Sequence, residues 1–419
     1  MAIKFIHCAD LHLGSVFKGL SRACSQTASS MFDAIYSTYD NIIELAIKEN
    51  VDFVLMAGDL IDDENKSLNS LLKLNSGFKR LSEKAIKVFL VHGNHDPFYR
   101  IDGLIDTPSN VKIFSPNNDK WHEFTCMDGT TVAIWGMSFS KKNEPRNLAK
   151  LVPEYNHGDF KIVLLHQTIG TSNEHLPYAP CNLSDCDHKA DYWALGHIHK
   201  PAILSESPLV VYPGIPQGRS FKETGPRGCY LVKTSSPTEI DTKFIEICRI
   251  RWEELKIVVT GLSTIDKLQE RILSEIKAYL EKIHPKGLIC RLLLKGTNEI
   301  IKKLFWQDEI QQFLDGLNEH FIHYEQEVFI SEIKDQTNPP IDVAERKKIK
   351  DLVGYALKEA DEILNTVEGQ KRLKEALSPL FSKKELKEVW NGIPIERELE
   401  EILENAKYML LDLLENDNY

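Results

Sequence analysis

A chain of 419 residues is too long for one ordinary core and fits two or three domains. With 42% apolar and 27% charged residues it has the make-up of a soluble globular protein, which excludes a disordered or membrane-embedded chain. A net charge of −11 excludes a protein that coats nucleic acid by bulk attraction. It leaves room for a local basic groove, because counterion release depends on the few Lys and Arg that touch phosphates.

The N-terminal "MAIKFIHCAD" enters a strand pattern directly, without a basic region and apolar signal core. No apolar run reaches the roughly 18 residues of a membrane helix, so an unprocessed cytoplasmic protein is expected. The eight cysteines are scattered without a C-x-x-C pair and read as buried thiols.

From residue 1 to about 232, short β-rich runs alternate with helical or loop stretches: "IKFIHCAD", "VDFVLMAGD", "AIKVFLVHGN", "TVAIWGMSF", "KIVLLHQ", "DYWALGHIH", "PLVVYPG" and "GCYLV". Such runs, apolar without strict alternation, suit strands covered on both faces, so a layered two-sheet α/β core, α/β/β/α or similar, is expected over 1–235. "KTSSPTEIDT" (233–242) reads as a polar connector. Strand and helix patterns then follow as β-α-β-α-β over 245–334, a small α+β domain, and "DQTNPPID" breaks the chain before a helical segment, 343–419.

Five strand-end fragments carry candidate ligands: Asp10-Leu-His12, Gly58-Asp59, Gly93-Asn94-His95-Asp96, His166 in "VLLHQ", and Gly196-His197-Ile-His199. Alternating residues of an extended segment point the same way, so Asp10 with His12, and His197 with His199, can each offer two ligands to one site. A lone strand-end His is ordinarily a hydrogen-bonded structural group, and His7, His92, His122, His157, His175 and His188 read so. The set does not, since gathering so many buried polar groups without cations is costly. Carboxylate, amide oxygen and imidazole together suit Mn²⁺, Fe²⁺ or Zn²⁺ better than Ca²⁺. Too many ligands for one ion imply two divalent ions about 3.5 to 4 Å apart, bridged by a carboxylate, for which Asp59 is the best candidate.

D-x-H, G-D-x-x-D (Gly58 to Asp62), G-N-H-D, a single His and G-H-x-H together resemble the signature of the calcineurin-like metallophosphoesterases. "FIHCADLHLGSVFKGL" and "VVYPGIPQGRS" are similar to the SbcD type of DNA double-strand-break nuclease subunit, in its YhaO-like branch. The resemblance covers roughly residues 3 to 230, and beyond 245 it rests on domain order. Cys8 and Gly14 depart from the pattern, next to no ligand position. The resemblance implies that Asp10, His12 and His199 hold one metal, and Asn94, His166 and His197 the other, with Asp59 bridging. His95 then faces the substrate phosphate as the catalytic residue, while Asp96 orients His95 or caps the turn. Gln217 and Arg219 either belong to a simple turn or contact phosphate.

The function so implied is a Mn²⁺-dependent DNA exonuclease/endonuclease that hydrolyses phosphodiesters without a covalent intermediate. It would act in DNA repair with a coiled-coil SMC-like ATPase, and a second copy of the chain is a further candidate partner. A phosphomonoesterase or protein phosphatase is the alternative, although that class carries G-D-x-V-D-R-G and G-N-H-E where this chain has "GDLIDDE" and "GNHDP". A non-catalytic scaffold would be expected to lack several ligands.

The 245–334 domain is expected to cap the cleft and guide DNA through Lys267, Arg271, Lys277, Lys282, Lys302 and Lys303. Two apolar stripes mark 343–419 as amphipathic helices; these either pack on each other or, as the resemblance implies, dock on the coiled-coil base of the ATPase. One runs through Ile349, Leu352, Val353, Ala356, Ala360, Ile363, Leu364 and Val367, the other through Leu399, Ile402, Leu403, Ala406, Met409, Leu410, Leu413 and Leu414. A capping box at Ser382 and Glu385, then Asn391-Gly392 and Pro394, separate them.

Overall fold

A computed structural model of the chain describes residues 3–15, 17, 25–62, 68–98, 106–126, 128–170, 178–237, 239–297, 309–338, 343–366, 368–369, 371–373, 375–376 and 406, without the side chains of 25–32 and 364. The core begins with β1 (Ile3–Cys8), α1 (Ser25–Glu49), β2 (Phe53–Ala57), α2 (Leu68–Ser82), β3 (Lys87–Val91) and the short β4 (Val111–Ile113). Strands β1 to β4 pair in parallel. All five residues of β2 are buried, as a strand covered on both faces requires.

A second sheet follows: β5 (His122–Thr125), β6 (Thr131–Met137), β7 (Phe160–His166), β8 (Tyr192–Gly196), β9 (Ala202–Glu206) and β10 (Leu209–Tyr212), in the order β5-β6-β7-β8-β10-β9. Its central strands β6, β7, β8 and β10 are parallel. The chain then returns to the first sheet through β11 (Gly228–Ser236) and β12 (Glu239–Glu246), giving the order β12-β11-β1-β2-β3-β4.

Aromatic packing locks the two sheets face to face. Phe5 stacks on Phe53 at 4.8 Å and meets Tyr192 edge-on at 5.2 Å, within a layer that also buries Phe89 and Phe160. On the outer face of the first sheet, α1 lays down Ile35, Tyr39, Ile42, Ile43 and Ala46, a helical spacing, and α2 adds Leu74, Phe78 and Leu81. The outer face of the second sheet buries Trp135 and Trp193 under loops and a 3-10 turn, Ala149–Leu151. Every described cysteine is buried and free.

The polar stretch 233–242 is a hairpin of the first sheet and not a connector, so the core runs past the expected boundary at 235. Strand β12 alternates exposed Glu239, Asp241 and Lys243 with Ile240, Thr242 and Phe244, which are turned partly inward. An edge strand with one wet face looks like a linker because every second residue is polar.

Beyond it lie β13 (Arg251–Val258), α3 (Ile265–Ile283), β14 (Gly287–Thr297), α4 (Ile310–His320) and β15 (Glu327–Asn338), the expected β-α-β-α-β order, with the strands in a sheet of order β13-β14-β15. Helix α3 buries Leu268, Ile272, Ile276 and Leu280 along one stripe. Among the described residues the helices α5 (Val343–Arg346) and α6 (Leu352–Asn365) come next. By internal contacts the chain forms two compact units, Met1–Glu254 with Ile283–Cys290 and Phe321–Ser331, and Leu255–Lys282 with Arg291–His320 and Glu332–Tyr419.

Asp351 caps α6 by accepting from Gly354 N at 2.9 Å. The first of the two stripes does not form one buried face. Val353 is buried with Leu357, which the stripe omitted, whereas Ile349 and Leu352 are 51% and 74% exposed. The helix starts only at Leu352, so Ile349 is outside its periodicity. Ser382, Glu385, Asn391, Gly392, Pro394 and the second stripe apart from Ala406 lie outside the described residues, as do Val367 and the side chain of Leu364. No helix among the described residues is long and apolar enough to cross a membrane.

Candidate metal centre

The parallel strands of both sheets end on the same group of residues. Asp10 and His12 follow β1, Asp59 follows β2, Asn94 and His95 follow β3, His166 closes β7, and His197 and His199 follow β8. Carboxyl ends of parallel strands are where an α/β sheet can gather polar side chains without breaking its ladder.

The local backbone is bent to present them. Asp10, His12, Asp59 and His197 have φ of +53°, +45°, +52° and +100°, a left-handed conformation uncommon for residues with a Cβ. Hydrogen bonds between the two strand ends hold it: Asp10 N donates to Gly58 O at 2.9 Å and His12 N to Asp59 O at 3.0 Å. At Gly93 a Cβ would lie 2.3 Å from Asp59 Oδ1, so only glycine lets the β3 turn close on that carboxylate.

Three groups of ligating atoms result, each within 4.8 Å: Asp10, His12 and His199; Asp59, His166 and His197; and His12, Asp62 and His95. Asn94 joins the second, its Oδ1 3.1 Å from His166 Nε2, which is also 3.3 Å from Asp59 Oδ2. Asp59 reaches toward the first as well, with Oδ2 4.0 Å from His12 Nε2. His7, His92, His122, His157 and His188 belong to none of the groups, and His175 lies outside the described residues.

The donor set fits cations. His12 and His199 bring their Nε2 atoms to 3.4 Å of each other, beside Asp10. Burial drives the His12 imidazole well below its usual range, toward the neutral form that ligates metal, with Arg219 adding to the effect. Burial opposes charge on Asp59 too, but His166, His12 and His95 outweigh it and hold the carboxyl well below its ordinary value. Burial would likewise neutralise His166, yet Asp59 and Asp10 pull it up to about 9. A buried point where two carboxylates overcome desolvation that far is one that takes positive charge. The residues that could hold two cations are therefore Asp10, His12 and His199, and Asn94, His166 and His197, with Asp59 between.

His95 is different: its side chain is 32% exposed, its ring stands edge-on to His12 at 4.8 Å, and its main-chain N donates to Asp59 Oδ1 at 2.9 Å. Burial lowers its pKa, but Asp62, with Oδ1 3.6 Å from Nδ1, and Asp59 raise it above the usual value. Asp96 does not orient His95. Its carboxylate accepts from Gly93 N and Leu60 N, both at 2.8 Å, so it caps the turn and ties it to the β2 loop.

The loop after β10 divides the two remaining candidates. Gln217, 2% exposed, accepts from Thr38, Arg249 N and Ile250 N and donates to Gly218 O and Ile250 O. Both its donors are committed to the protein, which corrects its reading as a phosphate contact. Arg219 stays at the centre, with Nη1 3.2 Å from Ser15 Oγ and 3.7 Å from Asp62 Oδ2. Two carboxylates were not singled out from sequence. Asp62 stood in the G-D-x-x-D pattern without a role, and Glu223, which accepts from His199 Nδ1 at 2.7 Å, stands in no motif at all.

Residues 3–201 match the calcineurin-like phosphoesterase family, and 252–338 match the middle domain of the metallophosphoesterase YhaO. The YhaO metallophosphoesterase of Bacillus subtilis (strain 168) is 34% identical over 339 residues, 80% of this chain and 82% of that protein. The chain belongs to the calcineurin-like metallophosphoesterases. This metallophosphoesterase is also 25% identical over 296 residues to the DNA double-strand break repair protein Mre11 of Methanopyrus kandleri, 64% of this chain and 62% of that one. With the Mre11 protein of Methanocaldococcus jannaschii it shares 25% identity over 325 residues, 70% of this chain and 82% of that one. A dinuclear metal site is the family's cofactor arrangement, and the groups above are the places in this metallophosphoesterase that fit it.

Proposed function

We propose that the chain is a DNA nuclease subunit that hydrolyses phosphodiester bonds with two divalent ions, which the resemblance implies to be Mn²⁺. The observation that carries the reading is His95, half-exposed beside Asp62 at the edge of a buried set of carboxylate, amide and imidazole ligands. Asp10, His12, His199, Asn94, His166, His197 and Asp59 would hold the two cations, which when bound would supply activation of water near neutral pH and neutralisation of phosphoryl charge. His95 faces the phosphate and protonates the leaving oxygen, with Asp62 and Asp59 keeping it charged for that step. Arg219 adds a fixed positive charge on the same side and draws the phosphate toward His95. No side chain is required as a nucleophile, so no covalent intermediate forms.

DNA is favoured over a phosphomonoester or phosphoprotein because two relatives are repair proteins by name and the chain departs from the phosphatase patterns at Asp63, Glu64 and Asp96. The exposed Lys267, Arg271 and Lys282 of α3, with the half-buried Lys277, offer phosphate contacts, while Lys302 and Lys303 lie outside the described residues. A cytoplasmic complex with a coiled-coil SMC-like ATPase, docked through 343–419, and a homodimer complete the reading.

The test is digestion of labelled duplex, single-stranded and hairpin DNA under Mn²⁺, with p-nitrophenyl phosphate as the monoester control. Cleavage of DNA well above the monoester is expected, and the reverse order would make the chain a phosphatase. Truncation after Asn338, which keeps β15 whole, should abolish co-purification with the ATPase and spare cleavage of small diesters.

A further inference from the structure

The two groups of candidate ligands are held in different ways. His166 donates its Nδ1 hydrogen to the main-chain oxygen of Ala57 at 2.9 Å, a support no side-chain replacement can remove. His199 donates its Nδ1 hydrogen to Glu223 Oε1 at 2.7 Å, a support that is itself a charged side chain. That bond leaves the His199 Nε2 lone pair turned to His12 Nε2 at 3.4 Å and Asp10 Oδ1 at 4.0 Å.

Glu223 is gripped from several sides. Its Oε2 accepts from Arg219 N at 2.7 Å, and Arg219 Nη2 approaches Oε1 at 3.2 Å. The buried guanidinium of Arg227 donates through Nε to Glu223 O at 3.2 Å and through Nη1 to His199 O at 2.6 Å, so one side chain fixes the main chains of both partners. Here the anchors converge on the distance between Glu223 and His199.

We infer that Glu223 is the positioning residue of the Asp10–His12–His199 cation site, fixing the tautomer and the ring orientation of His199. A carboxylate behind a ligating imidazole has both effects on metal affinity. The inference rests on the two-cation reading of this centre and adds an asymmetry to it: one site depends on an exchangeable side chain and the other on the main chain.

Titration of the metal-free full-length protein with Mn²⁺, following free Mn²⁺ by electron paramagnetic resonance, tests it. The wild type should take up two equivalents. Glu223→Gln should keep one equivalent at wild-type affinity and weaken the other by about 10- to 100-fold, and Glu223→Asp should recover part of that loss. Glu239→Gln, which removes an exposed carboxylate of β12 away from the site, should bind both ions at wild-type affinity. Unchanged binding in Glu223→Gln, equal weakening of both sites, or an equal loss in Glu239→Gln would overturn the inference. If Glu223→Gln does not fold, Glu223→Asp carries the test: one weakened site supports the assignment, and none or both overturn it. A wild type that binds fewer than two equivalents would overturn the two-cation reading itself, a failure visible before any variant is made.

Discussion

His7 and His166 are both fully buried, each on a parallel strand of one of the two packed sheets, yet their chemistry is opposite. His7 lies between the sheets with Nδ1 2.9 Å from the Tyr192 hydroxyl, and burial pushes its pKa down to about 3. At His166 the same burial is overruled by Asp59 and Asp10, which draw it up to about 9. Burial alone makes an imidazole neutral and inert; two carboxylates at the strand ends turn the same residue type into part of a site that calls for cations. The candidate metal centre is thus marked by where the fold gathers carboxylates beside its histidines.

Asp59→Asn strikes at that distinction and should have the largest effect. It removes the charge that separates His166 from His7, so bound metal should fall below two per chain and hydrolysis should drop by about 10³-fold or more. Metal content by mass spectrometry decides it: two metals retained would mean that Asp59 is not shared. His95→Gln should keep both metals and lower hydrolysis by about 10²- to 10⁴-fold, because His95 belongs to neither class of buried histidine. Loss of metal with full activity per metal would contradict that role. Gly93→Ala pushes a Cβ against Asp59 Oδ1 and should weaken metal binding by about 10- to 100-fold without unfolding the sheet. Calorimetric affinities and the melting temperature, measured together, separate those two effects.

The smallest effect belongs to His7. Its folded-state pKa lies below the ordinary 6.5, so the unfolded chain takes up the proton first as pH falls. The stability tied to neutral His7 is complete above pH 6.5 and is lost between there and about 3, at roughly 1 kcal/mol per pH unit. His7→Asn should flatten the fall in melting temperature across that window and leave metal binding unchanged. An identical slope in the two proteins would count against a buried neutral His7.

The strand runs, the D-x-H and G-H-x-H spacings and the β-α-β-α-β order beyond 250 were all legible in the chain, because each depends on neighbours a few residues apart. The amino-acid sequence alone therefore determined which side chains would crowd the strand ends and of what type they are. Tertiary structure decided the rest. Nothing near Ser235 announces that 233–242 would pair as a hairpin in the first sheet, since a half-exposed edge strand has the composition of a linker. Nothing near His95 tells Asp62 from Asp96, and the nearer in sequence proved to be the turn cap. Gln217 and Glu223 stand six residues apart in one loop; the first is spent on main-chain groups and the second on His199, according to which strands pass beside them. Such pairings are set by how two sheets pack and by the left-handed backbone at four of the candidate ligand positions, and these arise from contacts between segments far apart in the chain.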